Sequence, residues 1–185
     1  MVSTNNLKNG MTVRIDGSLY RVDYFQHVKP GKGGAFVRTT LKGVQNGKTI
    51  DRTFRAGEEL EQAVLDKRSL QYLYREGEQY VFMDTEHFEQ SYVEEHSLGE
   101  APKYIREGET VELVFDGSQV VDINLPANVE LAVAETEPGI QGDRVSGATK
   151  PAVLETGAQV QVPLFINEGE RVKVDTRSGE YISRA

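Results

Sequence analysis

The sequence predicts an all-β protein built from three small β domains, and three observations carry that prediction. Apolar and polar residues alternate at period two through most of the chain, the spacing of a half-buried strand. Glycine-bearing turns separate the alternating runs at short intervals, which is hairpin punctuation. Charge is distributed in blocks: residues 1–65 hold ten Lys+Arg against six Asp+Glu, residues 66–126 five against fourteen, and residues 127–185 six against nine. The local balances are +4, −9 and −3 within a net charge of −8. A basic end able to approach phosphates is joined to an acidic remainder that limits indiscriminate adhesion. Domains of about sixty residues sit at the small end of the usual range, with junctions at "LDKRS" and "NLPANVE".

The elements follow in chain order. "GSLYRVDYFQHV" (17–28) and "AFVRTTLKGV" (35–44) are strands rich in β-branched and aromatic residues, and the segment between them is a hairpin tip at the end of a two-stranded arm. "EELEQAVLDKRSL" fits helix by its glutamates and either period by its apolar spacing. "SLQYLYREGEQYVFMD" is a second hairpin around Glu76-Gly77, and "VELVFDGSQVVDINL" a third around Asp116-Gly117. A short helix is expected from Ser97, as N-cap, to Ile105. "REGETVELVFDGSQVVDI" (106–123) and "NEGERVKVDTRSGEYISR" (167–184) share a Glu-Gly-Glu turn, a strand, a glycine turn and a closing strand. That is the pattern of a duplicated barrel module. "REGEQYVFMD" opens the same way, so a recurring turn solution is the competing explanation.

Several function classes lose support at this stage. The 185 residues include no cysteine, which removes disulfides, thiolate metal sites and thiol nucleophiles. The N-terminus has no signal-peptide pattern, and no apolar run nears the roughly 18 residues of a membrane span, so a cytoplasmic location and no membrane partner are expected. His27, His87 and His96 are scattered, without metalloprotease or triad spacing. "EEHS" (94–97) reads as a solvated acidic surface, since adjacent residues rarely converge on one ion.

The stretch that stands out is the hairpin tip. Lys32 is set among Pro30, Gly31, Gly33 and Gly34. It is not a phosphate-binding P-loop, because Gln26 occupies the place of the first glycine and Gly33 that of the hydroxyl residue. Covalent amine chemistry requires a desolvated lysine, which a glycine-flanked tip cannot supply. What the tip offers is presentation: Pro30 fixes one backbone angle, and the glycines allow positive φ and close approach.

"HVKPGKGGAFVR", "DRTFRAGE", "YLYREGEQYVFMD", "ETEPGIQGD", "VPLFINEGE" and "VDTRSGEYISR" occur in that order over essentially the whole chain, and together they resemble the bacterial elongation factor P family. The resemblance implies an SH3/KOW-like N-terminal domain (1–65) carrying the tip, then an acidic OB-fold domain (66–126) and a C-terminal OB-fold domain (127–185), in an L-shaped, tRNA-like arrangement. It implies a monomeric translation factor that is not an enzyme. Such a factor binds the ribosome beside peptidyl-tRNA, prolyl or initiator, and relieves stalls at consecutive prolines. Lys32 then reaches the peptidyl transferase centre. No cofactor is implied, but a lysine-modifying enzyme is, adding an aminopentanol or β-lysyl group to Lys32.

The same resemblance assigns contacts with tRNA or rRNA to Lys29, Arg38, Lys42 and Arg52 around the arm. It assigns further contacts to Gly142 and Asp143 in a third-domain loop, and to Tyr181 and Arg184 at the C-terminus. Arg144 stands where the family's loop has threonine, which leaves that contact open. A family paralogue with other clients and a general oligonucleotide-binding protein are the alternatives.

Overall fold

The computed structural model describes residues 1–139 and 147–185. The first sheet is six-stranded: β1 (Val2–Ser3), β2 (Thr12–Ile15), β3 (Ser18–Val28), β4 (Phe36–Gly43), β5 (Thr49–Arg55) and β6 (Glu59–Ala63), in the order β1-β6-β2-β3-β4-β5. Asp16 and Gly17 both take positive φ in the two-residue turn between β2 and β3, the Asp-Gly hairpin solution. A register shift in β3 between Val22 and Tyr24 buries the former and exposes the latter; alternation alone would put both on one face. Val13, Val22, Val37, Leu41, Phe54 and Leu60 fill the inner side. Thr4, fully buried in a short 3-10 helix (Thr4–Asn6), donates to the Arg55 carbonyl and accepts from the Gly57 N–H. It thereby fixes the turn into β6.

The remaining strands form two sheets of one design. β7 (Asp66–Glu76), β8 (Gln79–Asp84), β9 (Gln90–Glu94), β10 (Thr110–Asp116) and β11 (Gln119–Asn124) are ordered β11-β10-β7-β8-β9. β12 (Asn128–Thr136), β13 (Thr149–Leu154), β14 (Gln159–Pro163), β15 (Arg171–Asp175) and β16 (Tyr181–Arg184) are ordered β16-β15-β12-β13-β14.

The correspondence extends to single hydrogen bonds. The Glu109 side chain caps the Arg106 N–H at 3.1 Å, as Glu170 caps Asn167 at 2.8 Å. Gly108, at φ 87, donates to the Tyr72 carbonyl, and Gly169, at φ 84, donates to that of Val133. Both first strands carry a register shift at the next residues, between Tyr72 and Tyr74 and between Val133 and Glu135. "REGE" at 75–78 differs: Glu76 pairs with Gln79 across a two-residue turn with Gly77 at φ 63. Only the two long segments are therefore the same hairpin used twice.

One expectation is corrected and one ambiguity resolved. The helix is one turn, α1 (Glu95–Leu98), with Glu94 at its N-cap and Ser97 inside it. Gly99 at φ 56 ends it, and Pro102 sits in a separate 3-10 turn (Ala101–Lys103). The ambiguous segment 58–70 is extended, as β6 and the start of β7, because its apolar positions serve sheet pairing and overrule the helix preference of glutamate.

The chain divides into two compact units, residues 1–68 with 114–122 and residues 69–113 with 123–185. In the first, Leu19, Val114 and Val121 are buried together, and Arg14 pairs with Asp116 at 2.7 Å and Glu61 at 3.2 Å. Those carboxylates, Asp116 foremost, hold the Arg14 proton more tightly than usual. In the second, Tyr104 is buried in the core of the β12–β16 domain with Leu131, Leu154, Ile166 and Val172. Beside it the Thr156 hydroxyl donates to the Lys103 carbonyl at 2.6 Å.

Candidate functional site

Residues 29–35 form the loop between β3 and β4. The arm below it is not a bare hairpin: β5 pairs along β4 up to Phe36↔Arg55, and the Ala56 N–H donates to the Ala35 carbonyl at 3.1 Å. This third strand corrects the two-stranded expectation. Only the loop itself stands beyond the sheet, with Lys29, Gly31, Lys32, Gly33 and Gly34 exposed. Gly33 has φ 104, and a Cβ at Gly31, Gly33 or Gly34 would meet nothing within 4 Å. The glycines serve backbone freedom, then, and not close packing. At the root of the loop, an open cleft of about 490 Å³ is lined by residues including His27, Lys29, Phe36 and Ala56.

The strand register sorts the basic residues into two sets. Across β3-β4-β5 the aligned rows are Val28–Phe36–Arg55, Gln26–Arg38–Thr53, Tyr24–Thr40–Asp51 and Arg21–Lys42–Thr49. Directly opposed residues share a face, so Arg38 and Lys42 lie together on the outer side with Arg21 and Arg55. Arg38 rests over the Phe36 ring at 5.4 Å, and Tyr24 is exposed.

Arg52 pairs with Thr39 in the rows of the inner face. It lies over the Phe54 ring and bonds to Asp16 at 3.2 Å, so the structure separates it from Arg38 and Lys42. Reading residue types missed Arg21 and Arg55. Their signal was the parity of the strand, which is readable only once the shift at Val22/Tyr24 is known.

At the C-terminus, Tyr181 is half-buried against the domain core. Arg184 is already engaged, over the Phe165 ring at 4.6 Å and with Glu170 at 3.3 Å. Gly142, Asp143 and Arg144 lie outside the described residues. Among the described residues no group of three or more His, Asp or Glu side chains could hold a metal ion, and no helix is long and apolar enough to cross a membrane.

Three family models match in succession: the elongation factor P KOW-like domain over residues 3–60, the elongation factor P OB domain over 65–123, and the elongation factor P C-terminal domain over 129–184. The chain belongs to the elongation factor P family. Full-length relatives agree. Elongation factor P of Acidothermus cellulolyticus is 56% identical, covering 100% of this chain and 99% of the relative. That of Microcystis aeruginosa is 54% identical, covering 100% of both.

A solved structure of eukaryotic translation initiation factor 5A from Methanococcus jannaschii superposes with a TM-score of 0.54 at 26% identity, covering 66% of this chain and 90% of that one. A translation initiation factor 5A family protein from Naegleria fowleri, 15% identical with a TM-score of 0.51, shares the fold over 67% of this chain. The KOW-like and OB domains are those of the elongation factor P family, and membership supports a role in translation elongation.

Proposed function

We propose that this factor binds the ribosome beside peptidyl-tRNA and stimulates peptide-bond formation at consecutive prolines, with Lys32 presented to the peptidyl transferase centre. The observation that carries the reading is the tip: one exposed lysine flanked by glycines that nothing packs against, at the end of a sheet whose outer face carries Arg21, Arg38, Lys42 and Arg55. Proline is a rigid peptidyl donor and a hindered acceptor, so the stalled reaction suffers from poor geometry. Holding a reactant in the productive arrangement is worth several kcal/mol. The ribosome performs the chemistry and this chain supplies orientation. The outer-face cations neutralise acceptor-stem phosphates of a prolyl or initiator tRNA. A modifying enzyme that adds an aminopentanol or β-lysyl group to Lys32 extends its reach, and the exposed tip leaves room for one.

The test is the rate of three-proline peptide synthesis in a reconstituted translation system, with host-purified protein and with Lys32→Ala. Stimulation is lost in the variant while a proline-free peptide is unaffected; absence of stimulation by the host-purified protein overturns the reading. Mass spectrometry of the tip peptide reads the modification directly. Arg38→Ala lowers the salt slope of ribosome binding by about 1, whereas Arg52→Ala, on the opposite face, leaves it unchanged.

A further inference from the structure

The outer face of the β7-β8-β9 meander has a composition unlike that of its twin. Its register gives three aligned rows: Glu76–Gln79–Glu94, Tyr74–Val81–Tyr92 and Gln71–Met83–Gln90. None of the nine positions is basic. The shift between Tyr72 and Tyr74 sends Tyr72 into the core, against Tyr80 and Phe82, and turns Tyr74 outward. Tyr74 and Tyr92 remain 41% and 54% exposed, and Val81 between them is fully covered. The Tyr92 hydroxyl donates to Gln90 at 3.4 Å, and Gln79 donates to Glu94 at 2.6 Å. In the C-terminal domain the corresponding row is Glu135–Val153–Gln159, so the same scaffold position holds no aromatic ring. The fold therefore does not require the tyrosines.

We infer that this face docks an arginine-bearing extended segment of a partner protein, with guanidinium groups on the Tyr74 and Tyr92 rings and carboxylate contacts from Glu76 and Glu94. Charge complementarity selects the occupant. Guanidinium stacks on tyrosine faces and pairs with carboxylates in the same grip. A nucleic-acid backbone would bring phosphates against two glutamates in a segment whose charge is −9. The inference is independent of the role of Lys32, because it concerns another sheet and another ligand chemistry.

The test titrates the full-length protein with a synthetic nonapeptide alternating arginine and glycine, followed by NMR of methyl and aromatic signals, with lysine–glycine and glutamate–glycine peptides and nonauridylate as comparators. The arginine peptide shifts Val81, Met83, Tyr74 and Tyr92, binds more tightly than the lysine peptide, and is weakened about tenfold by Tyr74→Gln with Tyr92→Gln. Glu76→Gln with Glu94→Gln weakens it about threefold. If the tyrosine variant fails to fold, the glutamate variant decides alone. Shifts scattered over acidic surfaces, affinity that survives both variants, or a stronger response of these residues to nonauridylate overturns the inference.

Discussion

The β7–β11 and β12–β16 domains are one construction carried out with two surfaces. Strand order, the capped Glu-Gly-Glu turn, the glycine donating to the first strand and the register shift after it recur in both. The residues on the outer face do not recur. What the pair shares is backbone hydrogen bonding and turn geometry, which decide whether the sheet forms at all. What it does not share are positions where solvent accepts almost any polar side chain. A difference between twins at such a position is thus freer to reflect function than a difference in either core.

The sharpest asymmetry is Tyr104. It is supplied from outside the β12–β16 strands yet buried in their core. Tyr104→Ala costs about 3–5 kcal/mol, read as earlier denaturant unfolding of β12–β16 signals. If those signals hold their midpoint, the ring is not part of that core. Gly108→Ala and Gly169→Ala, at φ 87 and 84 in open space, each cost about 1–2 kcal/mol. Equal losses in denaturant melts sharpen the equivalence, and a difference above about 1 kcal/mol breaks it.

A smaller effect concerns a loop used three times. Gly47, Phe88 and Gly179 each donate back to the residue four positions before, at φ 66, 59 and 75. Phe88 is the bulky member, 71% exposed, so Phe88→Gly stabilises the β7–β11 domain by up to about 1 kcal/mol, measured the same way.

The smallest effect is acid-dependent. The Asp84 carboxylate accepts from the N–H groups of Glu86 and His87, and Asp175 from those of Ser178 and Arg177, which hold both below the usual carboxylate range. Their contribution is present above the unfolded carboxylate value and fades as pH falls through the lower folded value. Carboxyl NMR titration shows both protonating below the usual carboxylate range.

Turn chemistry was legible in the sequence because it is local: Asp116-Gly117, Glu76-Gly77 and the repeated Glu-Gly-Glu announce themselves within four residues. The tip was legible for the same reason, being defined by Pro30 and three glycines around Lys32. The faces were not. Tyr72 and Tyr74 are two apart, and Val22 and Tyr24 likewise, yet each pair splits between inside and outside because an irregular residue intervenes. Period-two counting fails at such a point. The basic set Arg21, Arg38, Lys42 and Arg55, and the exclusion of Arg52 from it, therefore needed the register. The one-turn helix was overestimated because Ser97 resembles a cap, whereas Gly99 already stops the chain.

Tyr104 also bears on how this protein can be cut. Scissors placed at the sequence junction near residue 126 would part the ring from the cavity it fills, leaving the C-terminal piece hollow and the piece before it with a greasy ring in water. The twins are two copies of a plan but not two separable goods, and a fragment meant to stand alone as the last barrel must begin before residue 104.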